Sequence, residues 1–114
     1  MKITITDTIL DGNLGDGWRD QYDAALAFAA FREGFIRGYV AGSYPGADLT
    51  VTIDVQRHTE GHTGGATVDV SDCESEEADR VERDLTEYLA AGSDAAWEAF
   101  CGSDAAERLS TDED

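Results

Sequence analysis

Seven of the ten aromatic side chains of this 114-residue chain, Trp18, Tyr22, Phe28, Phe31, Phe35, Tyr39 and Tyr44, fall within 27 consecutive positions. No other stretch carries comparable bulk, so the core must be organised around this one. From Trp18 to about Ala41 the apolar residues recur at helical spacing. Trp18, Tyr22, Ala25, Leu26, Ala29, Ile36 and Val40 form one stripe, and Phe28, Phe31, Phe35 and Tyr39 form a second. A helix apolar around more than half its girth lies under a sheet and another helix at once, or it turns one stripe toward a partner chain. Wide apolar faces in small domains are usually core.

Gly34, Gly38 and Gly42 repeat every fourth residue near the end of this helix. Each costs about 1 kcal/mol relative to alanine, which close approach by a strand or by another copy of the helix would offset. Phe31, Gly34, Phe35, Gly38 and Tyr39 are therefore the candidate self-association residues, and a homodimer is an expectation. Arg32, Glu33 and Arg37 interrupt the segment, which argues against a lipid-embedded pair.

The remaining pattern predicts an α+β fold in one domain over residues 1–102. Lys2 to Thr6 alternates as a half-buried strand, and Asp7 to Gly17 is turn-rich, with Asp16 placed to cap the helix that follows. Leu49, Val51, Ile53 and Val55 face one way while Thr50, Thr52, Asp54 and Gln56 face the other. Ala66, Val68 and Val70 repeat the alternation, and the glycine-bearing connection Thr59 to Gly65 makes a hairpin of the two strands. A second helix, capped by Ser71 or Ser75, is expected from about Glu76 to Ala91. Gly92 ends it, and Ser93 or Asp94 starts a third helix through Cys101 that brings Trp97 and Phe100 inward. Ser103 to Asp114 reads as an acidic, flexible tail, with Ala105, Ala106 and Leu109 offering the alternative of a helical extension. The predicted order is β-α-β-β-α-α, a three-stranded, mainly antiparallel sheet with helices on one face.

Charge bears most directly on function. Residues 72–114 carry 15 acids against three arginines, and residues 1–71 carry ten acids against five bases, for a total of −17. Such a chain repels nucleic acid and anionic membranes, lacks the basic footprint of a nucleic-acid binder, and attracts cationic surfaces. No run approaches the roughly 20 apolar residues of a membrane span. Met1 to Thr6 lacks the apolar core of a signal peptide, so a cytoplasmic protein with free thiols at Cys73 and Cys101 is expected.

On the second helix Glu76, Glu77, Asp79, Glu82, Asp84 and Glu87 sit at helical spacings, so those three or four residues apart lie roughly 5–6 Å from each other. Glu74, Asp94 and Glu98 extend the row, and all nine are the candidate partner-binding residues. Duplex DNA bears one charge per roughly 1.7 Å of axis, and a carboxylate row can stand in for it inside a phosphate-binding groove. The plain reading is a solvated helix face, with Arg80 and Arg83 pairing with acids four residues away. Asp54 and Asp69 become neighbours if their strands pair, as an acid-base couple or a cation site. His58, Glu60 and His62 alternate at the hairpin tip, a weak metal triplet without a fourth ligand. No phosphate-loop, dinucleotide, zinc-protease or catalytic-triad signature occurs, so no enzyme, cofactor or resident metal is expected.

A small, strongly acidic domain with the Glu76 to Glu87 row and no catalytic motif resembles, at the level of class, the phage-encoded DNA-mimic inhibitors of anti-CRISPR and anti-restriction type. The resemblance implies an inhibitor that fills the DNA- or RNA-binding groove of a basic host complex, such as a CRISPR effector or restriction enzyme. The alternative is an accessory or assembly protein of a halophilic host or its virus, binding through the aromatic helix and acidic for solubility. A single lysine, Lys2, among 25 acids suits that alternative too.

Overall fold

A computed structural model describes residues 1–14, 17–57 and 65–110, with side chains at all of these except 13 and 92–94. The chain runs β1 (Lys2–Leu10), a 3₁₀ turn at Asp11–Leu14, α1 (Gln21–Ser43), β2 (Asp48–Gln56), β3 (Gly65–Ser71), α2 (Ser75–Cys101) and α3 (Asp104–Leu109). This is the α+β class and the element order that the sequence predicts.

The sheet is mixed, in the order β2-β1-β3, with β1 parallel to β2 and antiparallel to β3. The expected hairpin does not form, because β2 and β3 lie on opposite edges. Alternation shows which face of a strand is buried and says nothing about which strand lies beside it. Stepping across one central strand takes about 10 Å, well within the reach of an eight-residue connection. A parallel β1-β2 pair needs a long crossover, and α1 supplies it.

β1 alternates cleanly. Ile3, Ile5, Asp7 and Ile9 are buried while Lys2, Thr4 and Thr6 face solvent. The buried face is covered by α1 and α2, and the opposite face carries exposed Thr4, Thr6, Thr50, Thr52 and Thr67. One dry and one wet sheet face are what period-two patterning dictates.

Helix boundaries differ from expectation at three points. α1 begins at Gln21 because Asp20, not Asp16, caps it, accepting from the backbone N–H of Tyr22 at 2.8 Å and of Asp23 at 3.1 Å. α2 starts after Glu74 without a side-chain cap from Ser71 or Ser75, and it passes through Gly92 without a break. Its buried residues Val81, Leu85, Leu89, Ala96 and Phe100 keep helical spacing across that glycine, and burying this stripe outweighs about 1 kcal/mol of glycine cost. The segment expected as a tail forms α3, capped by the Ser103 hydroxyl at Ala106 N–H (3.3 Å). Ala106 is buried, and the chain around Trp18 bridges to Ser110, with Arg19 N–H donating to the Leu109 carbonyl at 3.0 Å.

The core has two parts. Ile3, Ile5, Ile36, Val40, Val51, Val70, Val81, Leu85 and Leu89 form one. Ile9, Phe28, Val55, Ala96 and Phe100 anchor the other, where Phe28 meets Trp97 edge-on at 5.2 Å and Trp18 stacks on Phe100 at 5.4 Å. Among the described residues no helix is long and apolar enough to cross a membrane.

Candidate functional site

Because α2 is continuous, its acids ride on one rigid rod of 27 residues, about 40 Å long at 1.5 Å per residue. Glu74, Glu76, Asp79, Glu87 and Glu98 are exposed, whereas Glu77 and Glu82 are half-buried. The Asp94 side chain lies outside the described residues. Among the described residues neither Arg80 nor Arg83 holds an ion pair with these acids. The neutralisation that the i,i+4 spacing allows is therefore not built, and four carboxylates along the rod, with Glu74 at its N-cap, keep their charge facing outward.

Asp84 has a different task. It accepts hydrogen bonds from the hydroxyls of Tyr39 (2.9 and 3.0 Å) and Tyr44, tying the C-terminal end of α1 to the middle of α2. Burial, reinforced by the Asp84 hydrogen bond and charge, pushes the Tyr44 phenol up to about 12 and raises Tyr39 as well. Tyr39 also stacks on Tyr88 with centroids 3.9 Å apart, and the Tyr88 hydroxyl donates to the Phe35 carbonyl at 3.2 Å. Asp84 is thus an internal tie, and the outward row passes it by.

The expected self-association residues do come together. Ala30, Gly34 and Gly38 floor an open groove of about 670 Å³ along α1. Phe31, Phe35 and Tyr39 line it too, together with Tyr88 of α2, which stacks on Tyr39. Leu26 and Phe35 are the large apolar side chains most open to solvent, at 47% and 36%.

Asp54 and Asp69 do not meet. They sit on opposite edge strands with β1 between them, Asp54 level with Thr8 and Asp69 level with Thr4. The acid-base couple and shared cation site expected of them therefore have no geometric basis. His58, Glu60 and His62 lie outside the described residues. Cys73 and Cys101 are free thiols, Cys73 half-buried and Cys101 exposed. Desolvation first, and then the Glu77 carboxylate, raises the Cys73 pKa.

The most consequential polar feature inside the protein is one the sequence reading passed over. Asp7 and Arg32 are both buried between the two halves of the core, and they pair through Arg32 Nε and Asp7 Oδ2. The Arg32 Nη2 group also donates to the Leu89 carbonyl at 3.1 Å, and Asp7 Oδ1 accepts from Thr8 N–H at 3.0 Å. The signal was there to read. Asp7 continues the inward series Ile3, Ile5, Ile9, and Arg32 lies midway between Phe28 and Ile36 at spacings of four.

No family model, curated protein or solved structure matches this chain.

Proposed function

We propose that the chain is an acidic binding protein that occupies the basic nucleic-acid groove of a DNA- or RNA-binding complex and inhibits it by competition. CRISPR effectors and restriction enzymes are the target class that the resemblance suggests. The observation that supports this reading most is the unbroken α2 rod, from which Glu76, Asp79, Glu87 and Glu98, with Glu74 at its N-cap, reach solvent without arginine partners among the described residues. A file of fixed charge can replace a phosphate track only if its carboxylates are free. Steering by this charge favours fast association, and affinity should fall steeply with salt.

Protein immobilised in dilute buffer should capture basic nucleic-acid-binding complexes from lysate and release them on adding duplex DNA. Reversing Glu74, Glu76, Asp79, Glu87 and Glu98 together to lysine, with the Asp84 tie kept, should abolish the capture. A captured set that duplex DNA fails to displace, or that the reversed variant retains, would refute the site.

A second reading, an accessory or assembly protein from a high-salt setting, draws support from the exposed apolar row on α1. A thermal melt separates the two. Folding that requires molar salt favours adaptation, and a cooperative melt in dilute buffer favours a partner-directed surface.

A further inference from the structure

Backbone hydrogen bonding along β2 is half complete. In a strand the N–H and C=O of one residue point to one edge, and those of the next residue point to the other. Asp48 N–H donates to the Met1 carbonyl at 2.9 Å, so the even-numbered residues of β2 serve the ladder with β1. The odd-numbered residues Leu49, Val51, Ile53 and Val55 aim theirs outward, and β2 is an edge strand. At Val55 the carbonyl accepts from the Tyr22 hydroxyl at 3.4 Å, and Arg57 lies over that ring at 4.3 Å, which closes this end. Among the described residues no group bonds the outward N–H and C=O of Leu49, Val51 and Ile53. Natural edges are blunted by shortness, proline, lysine or a bulge. β2 has none of these, running nine residues in unbroken register with β1. Donors and acceptors repeating at a strand's period are matched by another extended backbone.

Two features narrow what that backbone carries. On the dry side a cavity of about 390 Å³ joins Leu49 to Arg37, Val40, Ala41, Tyr44 and Ala47. Its lining comes from β2 and the end of α1 without β1, so it opens past the outer edge of the sheet. On an added strand, an apolar side chain level with Leu49 points into it. On the wet side the exposed acids of β2 are Asp48 and Asp54. Lys2 stands level with Asp48, whereas Asp54 is level with Thr8 and accepts from the neutral Gln56 amide. A basic side chain level with Asp54 forms an opposite-charge cross-strand pair. The opposite edge, β3, is the shorter strand, and the cavity at its end is lined by the Asp7 and Arg32 charges.

We infer that the β2 edge takes up an extended segment of a partner protein, about six residues long and antiparallel to β2, with an apolar side chain in the Leu49 cavity and a basic one level with Asp54. Antiparallel pairing is the slightly stronger kind, and it gives Leu49, Val51 and Ile53 the paired bonds. The inference goes beyond the proposed inhibition and does not rest on it, since the acids of α2 take no part.

The probe is the blocked peptide acetyl-Arg-Val-Thr-Val-Thr-Leu-amide, which sets its arginine level with Asp54 and its leucine level with Leu49. In the free full-length chain, the amides of Leu49, Val51 and Ile53 should exchange with deuterium faster than those of Thr50, Thr52 and Asp54. Titrated to about 2 mM under nuclear magnetic resonance, the peptide should bind with a dissociation constant on the order of 100 µM and slow exchange at Val51 and Ile53 about tenfold. N-methylation of both its valines, whose amides meet the edge, should abolish binding. N-methylation of the threonine between them, whose amide faces away, should leave affinity within about threefold. Asp54→Lys should weaken binding about two- to fivefold, and Ala41→Phe, at an exposed helix position that lines the cavity, about tenfold. The inference is overturned if no β2 amide responds at the top concentration, or if binding survives methylation of the valines. Protection that falls on α1 or α2 instead overturns it too. So does protection of Val51 and Ile53 that grows with chain concentration in the absence of peptide, since that gives the edge to a second copy. Capture lost on reversing the α2 acids and peptide binding lost on methylation are separate results, so either reading can fail alone.

Discussion

Replacing Asp7 by alanine removes a carboxylate from beside the Arg32 guanidinium at a site where the two residues are only 4% and 6% exposed. The Leu89 carbonyl remains as an acceptor, but a carbonyl dipole does not neutralise a full charge. Breaking a buried pair from one side costs about 3–5 kcal/mol, against about 5–15 kcal/mol for the stability of a whole domain. With a urea slope of about 1.5 kcal/mol/M, the unfolding midpoint of Asp7→Ala should drop by roughly 2–3 M. Removing both charges is different. Asp7→Leu combined with Arg32→Met fills the same space with apolar groups and takes away the desolvation penalty of both ions, so the double variant should return to within about 1 kcal/mol of the parent or exceed it. A double-mutant cycle in urea, followed by far-ultraviolet circular dichroism, should yield a coupling of about 2–3 kcal/mol. If Asp7→Ala costs less than about 1 kcal/mol, or if the double variant is no more stable than the single, the pair is not the electrostatic hinge between the two core halves.

Three further outcomes follow from the geometry. Tyr44 should titrate near 12 by ultraviolet absorbance. Its pKa is raised on folding, so its contribution is intact below about 10, the unfolded value, and is lost as pH rises through 12; Asp84→Asn should bring the titration down and cost on the order of 2 kcal/mol. Truncation after Gly102 removes α3, buried Ala106 and the Trp18–Ser110 bridge, and should lower stability by about 2 kcal/mol with a red shift in tryptophan emission; an unchanged melt would mean that the segment contributes nothing. Cys73, with its thiol pKa raised, should alkylate more slowly at neutral pH than an unstructured thiol, and Glu77→Gln should quicken it, as monitored by mass spectrometry.

Much of this structure could be read in the residues. Alternation marked the three strands, although the first runs on through Asp7–Leu10, a stretch that reads as turn-rich, and Ala66 at the start of β3 is exposed; the aromatic spacing marked α1 and the groove residues Phe31, Gly34, Phe35, Gly38 and Tyr39. The failures share a cause, which is that local pattern carries no information about which elements become neighbours. Asp54 and Asp69 seemed paired only because a short glycine-bearing connection suggests a hairpin, and the parallel β1-β2 ladder between distant segments overrides it. Gly92 looked like a stop because its cost is local, while the stripe from Val81 to Phe100 that outweighs it is spread over five turns. Asp84 had the spacing of a surface acid, and nothing in its own helix reveals two tyrosines arriving from α1. Asp7 and Arg32 are the opposite case, since both interrupt apolar series at positions where a charge demands a partner.

The placement of β1 sets a schedule. The innermost strand of the sheet is the first to be made, yet one of its ladders depends on residues as far along as Gln56 and the other on residues as far along as Ser71. At a synthesis rate of about 5–20 residues per second, a growing chain carries β1 without its full set of neighbours for roughly 3–14 seconds. Throughout that interval it is the threonines on the reverse side, together with the early carboxylates, that must keep the nascent strand from finding the wrong neighbour.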